Sequence, residues 1–229
     1  MFAQRIEKAR LLMAAQGVDA LLLSLGADLP YFCGYEAMPL ERLTMLVVPK
    51  DGLPQLLVPI LEAPRVAEHP EVFGLLPWSD GQDAVALAAG LIKGAKKVAV
   101  GDQMWAGFLV DLVAALPGTE FCRASAVTAP IRMVKDAAEI AALRQAGAAV
   151  DRIIADLQAG LVPLVGRTEA DVAAEIARRI RLEGHYKVNF TIVASGPNAA
   201  SPHHDPTDRV IQHGENVLFD IGGTMAGPN

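Results

Sequence analysis

The sequence has little cysteine, no excess of basic residues and no long apolar run. Its two cysteines, Cys33 and Cys122, are far apart and form no Cys-x-x-Cys pair. This excludes a disulfide scaffold and a cysteine-based zinc site and favours reduced thiols. Lysine and arginine number 20 against 26 aspartate and glutamate, a net charge of −6, which argues against a nucleic-acid or anionic-membrane binder. The longest apolar stretch, residues 84–92, is much shorter than a bilayer span.

Several common motifs are also missing. No G-x-G-x-x-G or G-x-x-x-x-G-K-[ST] motif follows a predicted strand, so nucleotide-phosphate binding has no support. The segment Ala194-Ser195-Gly196 is not the nucleophile elbow of a serine hydrolase. Residues 1–10 already carry four charged side chains, which is unlike a signal peptide. We therefore expect a soluble, cytoplasmic protein.

The first half of the chain alternates helical and strand patterns, which predicts an α/β domain over residues 1–125 with a mixed sheet. Turn residues Lys50-Asp51-Gly52 separate two apolar runs and predict a hairpin. The predicted helices are 2–16, 83–92 and 104–116, and the predicted strands are 20–25, 43–48, 55–58 and 97–101.

The stretch Ala124–Pro130 consists mainly of small or apolar residues, and it predicts a joint before a second domain over residues 130–229. A long amphipathic helix is predicted over 136–158, and a second helix begins with a capping box at Thr168. Strands are predicted over 189–194 and 216–221, with Gly222-Gly223 turning the chain afterwards. Because the chain stops a few residues after that strand, we expect a truncated protein.

Asp220 is the first candidate site residue, because it lies in the otherwise apolar strand Val217-Leu218-Phe219-Asp220-Ile221. A buried carboxylate is costly unless its charge is compensated, and a divalent metal held by a strand-borne carboxylate would compensate it. The alternative is a strand-end aspartate that binds the backbone amides of Gly222-Gly223 or points to solvent.

His203 and His204 are the second candidates. Adjacent residues in an extended loop point in opposite directions, so at most one of them is expected to face a given site. A loop histidine can be a solvated surface residue or, because it titrates near neutral pH, a catalytic one. His213, beside Gly214, is interpreted as a turn residue, and His185 as a surface residue.

An ordered set of motifs resembles the creatinase/aminopeptidase P/prolidase group, the pita-bread M24-type metallopeptidases. Its N-terminal members are Gly17-Val18-Asp19-Ala20-Leu21 and Tyr31-Phe32-Cys33-Gly34-Tyr35. In the second half, four motifs appear in the order found in the family: the segment from Arg132 to Ile140, Ala194-Ser195-Gly196, Pro202-His203 and the strand from Val217 to Gly223. The resemblance implies a creatinase-like N-terminal α/β domain followed by the first part of a pita-bread catalytic domain.

That resemblance implies an Xaa-Pro aminopeptidase or dipeptidase, which cleaves the bond before a proline at the second position of a peptide. In the family a hydroxide that bridges two divalent ions attacks the scissile carbonyl; manganese is usual, with cobalt or zinc as alternatives. Asp220 matches the first aspartate ligand, and His203 matches the histidine that contacts substrate or oxyanion. His204 has no family role. A homodimer is also expected.

The chain departs from the family at Gly227-Pro228-Asn229, where it ends before the second aspartate ligand, a histidine and two glutamates. With one of five ligands, we expect an inactive fragment of an active peptidase. Two alternatives remain: a metal-free, creatinase-like amidinohydrolase that uses the matching histidine as acid and base, and a non-catalytic peptide- or protein-binding module on the same fold.

Overall fold

The computed structural model describes residues 1–225. It divides the chain into two compact units, the first from Met1 to Val134 and the second from Lys135 onwards. The ending Gly227-Pro228-Asn229, on which the expectation of truncation rests, lies outside the described residues.

A six-stranded mixed sheet organises the first unit. Its strands are β1 (Ala20–Leu23), β2 (Met45–Pro49), β3 (Gln55–Pro59), β4 (Gly74–Trp78), β5 (Lys97–Val100) and β6 (Glu120–Arg123). Their order in the sheet is β4-β3-β2-β1-β5-β6. Strands β2 and β3 pair antiparallel, which confirms the predicted hairpin. Strand β1 pairs antiparallel with β2 and parallel with β5, so the sheet is mixed as predicted.

Helices cover both faces of this sheet, which explains why its central strands are apolar at every position. On β1, Leu21 and Leu23 belong to one core cluster, whereas Ala20 and Leu22 belong to the other. Helices α1, α2 and α5 supply side chains to the first cluster, and α3 and α4 supply side chains to the second. The helices are α1 (Phe2–Gln16), α2 (Asp28–Cys33), α3 (Ala84–Leu91), α4 (Ala106–Ala115) and α5 (Ser125–Met133).

The predicted joint at Ala124–Pro130 is wrong, because these residues form most of helix α5. Val127, Thr128 and Ile131 are buried along one side of this helix. The Thr128 hydroxyl and the Arg132 guanidinium both donate to Asp28, at 3.0 and 2.8 Å. The spacing of the buried residues, i, i+1 and i+4, is that of a helix packed on one face. The first compact unit consequently extends to Val134.

The aromatic motif from Tyr31 to Tyr35 belongs to the core of the first unit. Phe32 and Cys33 lie in helix α2 and are buried together with Tyr35. The Cys33 thiol donates to the Leu29 carbonyl at 3.1 Å, and burial raises its pKa to about 12. The thiol is therefore a packing group, because a reactive cysteine needs a lowered pKa.

The second unit packs two helices on one face of a two-stranded sheet. Its elements are α6 (Ala137–Gln158), α7 (Glu169–Leu182), β7 (Lys187–Ser195) and β8 (Val217–Thr224). The buried core includes Ile153 of α6, Val172, Ile176 and Ile180 of α7, and Val193 of β7. Helix α6 begins with a capping box in which Asp136 and Glu139 bind each other's backbone amides. The Thr168 hydroxyl caps α7 by accepting from the Asp171 amide.

The predicted turn at Gly222-Gly223 is also wrong, because both glycines lie within β8 and pair with β7. A Cβ atom on Gly223 would lie 2.7 Å from Ile180 Cγ2 and 2.8 Å from the Lys187 carbonyl oxygen. Glycine is therefore required here by the close approach of helix α7 and the neighbouring strand, and not by a turn. Among the described residues, none of the helices is both long enough and apolar enough to cross a membrane.

Candidate active site

Asp220 lies on the outer face of the β7–β8 sheet, opposite the face that packs on the helices. Its cross-strand partner is Ile192. Its neighbours Phe219 and Ile221 point inwards and pack against the core, whereas the Asp220 side chain is exposed. The strand alternates, so Asp220 points to solvent, which is the alternative that the sequence left open beside a buried carboxylate with a compensating metal. Among residues 1–225, the Asp220 carboxylate has no hydrogen-bond or ion-pair partner.

The surface around Asp220 is mainly apolar. Phe190 and Leu218 remain 45% and 38% exposed, and the Phe190 ring lies over Gly222, where its Cζ would be 3.0 Å from a Cβ atom. A single carboxylate on an apolar sheet face combines a polar anchor with surface for apolar side chains.

His203 lies on the connection between β7 and β8, which runs over residues 196–216. Its side chain is exposed, and within the described part of the chain it has no hydrogen-bond partner. The structure therefore leaves both His203 and Asp220 accessible. Within residues 1–225, no hydrogen bond links His203 with Asp220.

A cluster of polar residues, which was not predicted from the sequence, holds this connection in place. At its centre the fully buried carboxylate of Glu169 accepts hydrogen bonds from the Ser195, Asn198, His204 and Thr207 side chains, which together form the Glu169 cluster. The distances are 2.8 Å for Ser195 Oγ, His204 Nε2 and Thr207 Oγ1, and 3.1 Å for Asn198 Nδ2. The backbone amides of Ser195 and Thr207 also donate, at 2.7 and 3.2 Å.

Glu169 is ionised in this arrangement. Burial alone would raise its pKa, but the hydrogen bonds from His204, the Ser195 amide and Thr207 outweigh burial and hold the pKa well below its ordinary value. Because an ionised carboxylate only accepts hydrogen bonds, His204 Nε2 carries the hydrogen. The cluster therefore satisfies a buried negative charge with donors from one strand end and one loop.

Arg209 extends the cluster towards solvent. Its Nη1 donates to Ser195 Oγ at 2.6 Å and to Glu215 at 2.8 Å. The hydrogen bond from Arg209, with a second from the Gln212 amide, lowers the pKa of Glu215 to about 2. The Arg209 and Thr207 carbonyls accept from the Glu169 and Ala170 amides at the start of α7. The connection is thus fixed to the helix by backbone as well as side-chain bonds.

One signal in the sequence could have indicated Glu169. It precedes Val172, Ile176 and Ile180 by three, seven and eleven residues, so it shares the buried face of helix α7. A glutamate on that face must be satisfied internally. By contrast, nothing in the local sequence indicates which distant residues satisfy it.

His185 is buried, so its interpretation as a surface residue is wrong. It is only 3% exposed, and its Nδ1 lies 3.2 Å from the Ile180 carbonyl oxygen. Gly184, with a left-handed φ of 99°, ends α7 and folds His185 back over the last turn. Its Nε2 has no hydrogen-bond partner within residues 1–225.

The described residues do not fit a dinuclear metal site. No group of three or more histidine, cysteine, aspartate or glutamate side chains in residues 1–225 is arranged to hold a metal ion. Asp220 is one exposed carboxylate, whereas tight binding of a divalent ion needs several ligands to replace its hydration waters.

Two family models match the chain in succession. The model of the creatinase/prolidase N-terminal domain matches residues 5–134, more than half of the chain. The chain belongs to the creatinase/prolidase family. The model of metallopeptidase family M24 matches residues 141–227, so the second unit of this creatinase/prolidase chain is the first part of a pita-bread domain, as predicted.

Individual members of the creatinase/prolidase family support this assignment. A probable dipeptidase PepE of Mycobacterium tuberculosis is 43% identical over 228 residues, which cover 98% of this chain and 60% of that protein. The crystal structure of dipeptidase PepE from Mycobacterium ulcerans matches with a TM-score of 0.88 at 43% identity, covering 98% of this chain and 61% of that one. A prolidase from Thermococcus sibiricus matches with the same TM-score at 30% identity over 98% of this chain and 62% of that one. The chain spans about 60% of the length of the curated relatives it matches.

Proposed function

We propose that the whole protein, meaning the product of the complete reading frame that contains these residues, is a dipeptidase that hydrolyses the bond before proline. The observation that carries the proposal is the 43% identity with the probable dipeptidase PepE of M. tuberculosis across 98% of this chain. The 30% identity with a prolidase supports proline as the second residue of the substrate.

Within this proposal, His203 contacts the substrate and Asp220 is a metal ligand. Both side chains are exposed in the second unit, and Asp220 lies on a paired strand that limits its movement. Two divalent ions are the proposed cofactor, with manganese first and cobalt or zinc as alternatives, because carboxylate and imidazole sites discriminate weakly among them. Since residues 1–225 do not fit a dinuclear site, we propose that the 229-residue chain by itself is inactive.

The cellular setting is part of the same proposal. Cys33 and Cys122 are both free, which is the state expected in a reducing cytoplasm. We also propose a homodimer, as the family resemblance implies. Sedimentation of the whole protein at two concentrations would give the mass of the assembly directly.

The proposal is tested by comparing peptides on the whole protein. We expect hydrolysis of an Xaa-Pro dipeptide, with much slower turnover of an Xaa-Pro tripeptide and of an Xaa-Ala dipeptide. Equal turnover of the tripeptide would instead indicate an aminopeptidase, and turnover of a guanidino compound such as creatine would indicate an amidinohydrolase.

The role of His203 is tested by replacing it with alanine in the whole protein. Because a positioned histidine that acts on the reacting group contributes about 100-fold or more, His203→Ala should lower kcat/KM for the Xaa-Pro dipeptide by about that factor. His213→Ala is the matched control, since His213 is an exposed residue beside Gly214. That variant should stay within about twofold of the wild type. Equal losses in the two variants would remove His203 from the site.

A further inference from the structure

The two adjacent histidines of the β7–β8 connection have opposite surroundings. The His203 side chain is exposed, whereas the His204 side chain is 14% exposed and its Nε2 lies 2.8 Å from Glu169 Oε2. His203 lies in a turn with Pro202, and His204 follows it directly, so fixing the His204 side chain also holds the backbone from which the His203 side chain projects.

His204 is the main side-chain attachment of the segment that carries His203. Among residues 201–206, all within the described range, it is the residue whose side chain makes a hydrogen bond. The next attachments are Asn198 on the N-terminal side and Thr207 on the C-terminal side, and both also bind Glu169. The segment therefore contacts the Glu169 carboxylate both before and after His203, and the direction of the His203 side chain depends on these contacts.

The anchor is rigid. Glu169 is fully buried, and its carboxylate is also held by the amide and hydroxyl of Ser195 at the end of β7. Its backbone lies in the first turn of α7, where its amide donates to the Arg209 carbonyl at 3.0 Å. A side chain that is fixed to both a helix start and a strand end has little freedom to move.

We propose that His204, anchored on Glu169, is a positioning residue that holds the neighbouring His203 in its working direction. This proposal rests on the proposed function in its assignment of substrate contact to His203. The positioning itself is a property of the 229-residue chain and can be measured without turnover.

Two substitutions of His204 separate its hydrogen bond from its bulk. In glutamine, the donor nitrogen is as many bonds from Cβ as Nε2 is in histidine, so His204→Gln keeps a donor within reach of Glu169. In asparagine the donor matches the position of Nδ1 instead, so His204→Asn does not reach. Both replacements are uncharged amides, so the two variants differ only in the length of the side chain that carries the donor.

The first measurement is the NMR order parameter of the His203 amide in the 229-residue chain. We expect about 0.85 for the wild type and His204→Gln, and a value below about 0.6 for His204→Asn. A loss of stability alone would not lower the order parameter at one position while the protein is folded. Equal values in the wild type and both variants would overturn the proposal.

The second measurement is kinetic and uses the whole protein with an Xaa-Pro dipeptide. His204→Asn should lower kcat by about 10- to 100-fold, because misplacement of a working group by about 1 Å has effects of that size, while KM changes little. In a His203→Ala background, His204→Asn should have no further effect. Additive losses would show that His204 does not act through His203. A wild-type protein without turnover would refute the proposed function and leave the order-parameter test of positioning intact.

Discussion

Glutamine in place of Glu169 should lower the free energy of unfolding of the second unit by about 3–5 kcal/mol. The change removes a buried charge that accepts hydrogen bonds from the Ser195, Asn198, His204 and Thr207 side chains. It also directs an amide group at donors, which leaves buried polar groups without acceptors. Urea unfolding followed by circular dichroism would measure the change.

Glu175→Gln is the control on the same helix. Glu175 is paired with Arg178 and Arg179 at 2.8 Å, but its side chain is 23% exposed and the pairs lie at the surface. Such pairs contribute less than about 1 kcal/mol, so this variant should be close to the wild type. A similar loss in both variants would contradict the special role of the buried Glu169 cluster.

Glu169→Gln should also change how the free energy of unfolding depends on pH. Because hydrogen bonds hold the folded-state pKa of Glu169 below its ordinary value of 4.5, its contribution is present above the unfolded pKa. That contribution is lost as the pH falls below it towards the folded pKa. From about pH 6 to about pH 3 the wild type should therefore lose more stability than Glu169→Gln. Parallel losses would show that other carboxylates, such as Glu215 with a pKa of about 2, account for the acid sensitivity.

Alanine in place of Gly223 should destabilise the second unit by about 3 kcal/mol, the upper part of the usual range for overpacking. The added Cβ would lie 2.7 Å from Ile180 Cγ2, 2.8 Å from the Lys187 carbonyl oxygen and 2.9 Å from His185 Cδ2. One of these atoms belongs to the paired strand backbone, so the clash can be relieved only by shifting β8 or helix α7. Thermal unfolding of the 229-residue chain would report the effect.

Gly222→Ala is the matched control one position earlier on β8. Its Cβ would meet the Phe190 ring at 3.0 Å, and this ring is 45% exposed and can rotate away. We therefore expect a loss of less than about 1 kcal/mol. If Gly222→Ala were the more damaging change, the close approach at Gly223 would not explain why glycine is present.

The sequence predicts the helices and strands whose apolar residues follow a clear helical or strand pattern and whose ends are marked by glycine or turn residues. Helix α1 ends at Gly17 in the left-handed conformation, and the β2–β3 hairpin surrounds Lys50-Asp51-Gly52. The missed elements lack such signals. Helix α2 has six residues, and helix α5 contains Pro130, which made it resemble a linker.

The candidate site was predicted in part, and the physical reason differs for each residue. Asp220 was indicated by its place in an apolar strand and His203 by its place in a loop, and the family resemblance then implied their roles. The structure shows both side chains to be exposed. The local sequence could not decide whether Asp220 is buried or exposed, because an apolar strand at a sheet edge can still direct alternate side chains to solvent. The place of Glu169 on the buried face of α7 could have been predicted, but its partners could not, because they are 26 to 38 residues away and local sequence contains no information about such pairs.

A comparison of the 229-residue chain with the whole protein after incubation with manganese is the most direct test of the proposed function. Metal content would be determined by elemental analysis, and turnover with an Xaa-Pro dipeptide. We predict neither tightly bound metal nor turnover for the 229-residue chain, and about two metal ions per chain with turnover for the whole protein. Stoichiometric metal and proline-directed turnover in the 229-residue chain would contradict this prediction, because residues 1–225 offer no cluster to hold that metal.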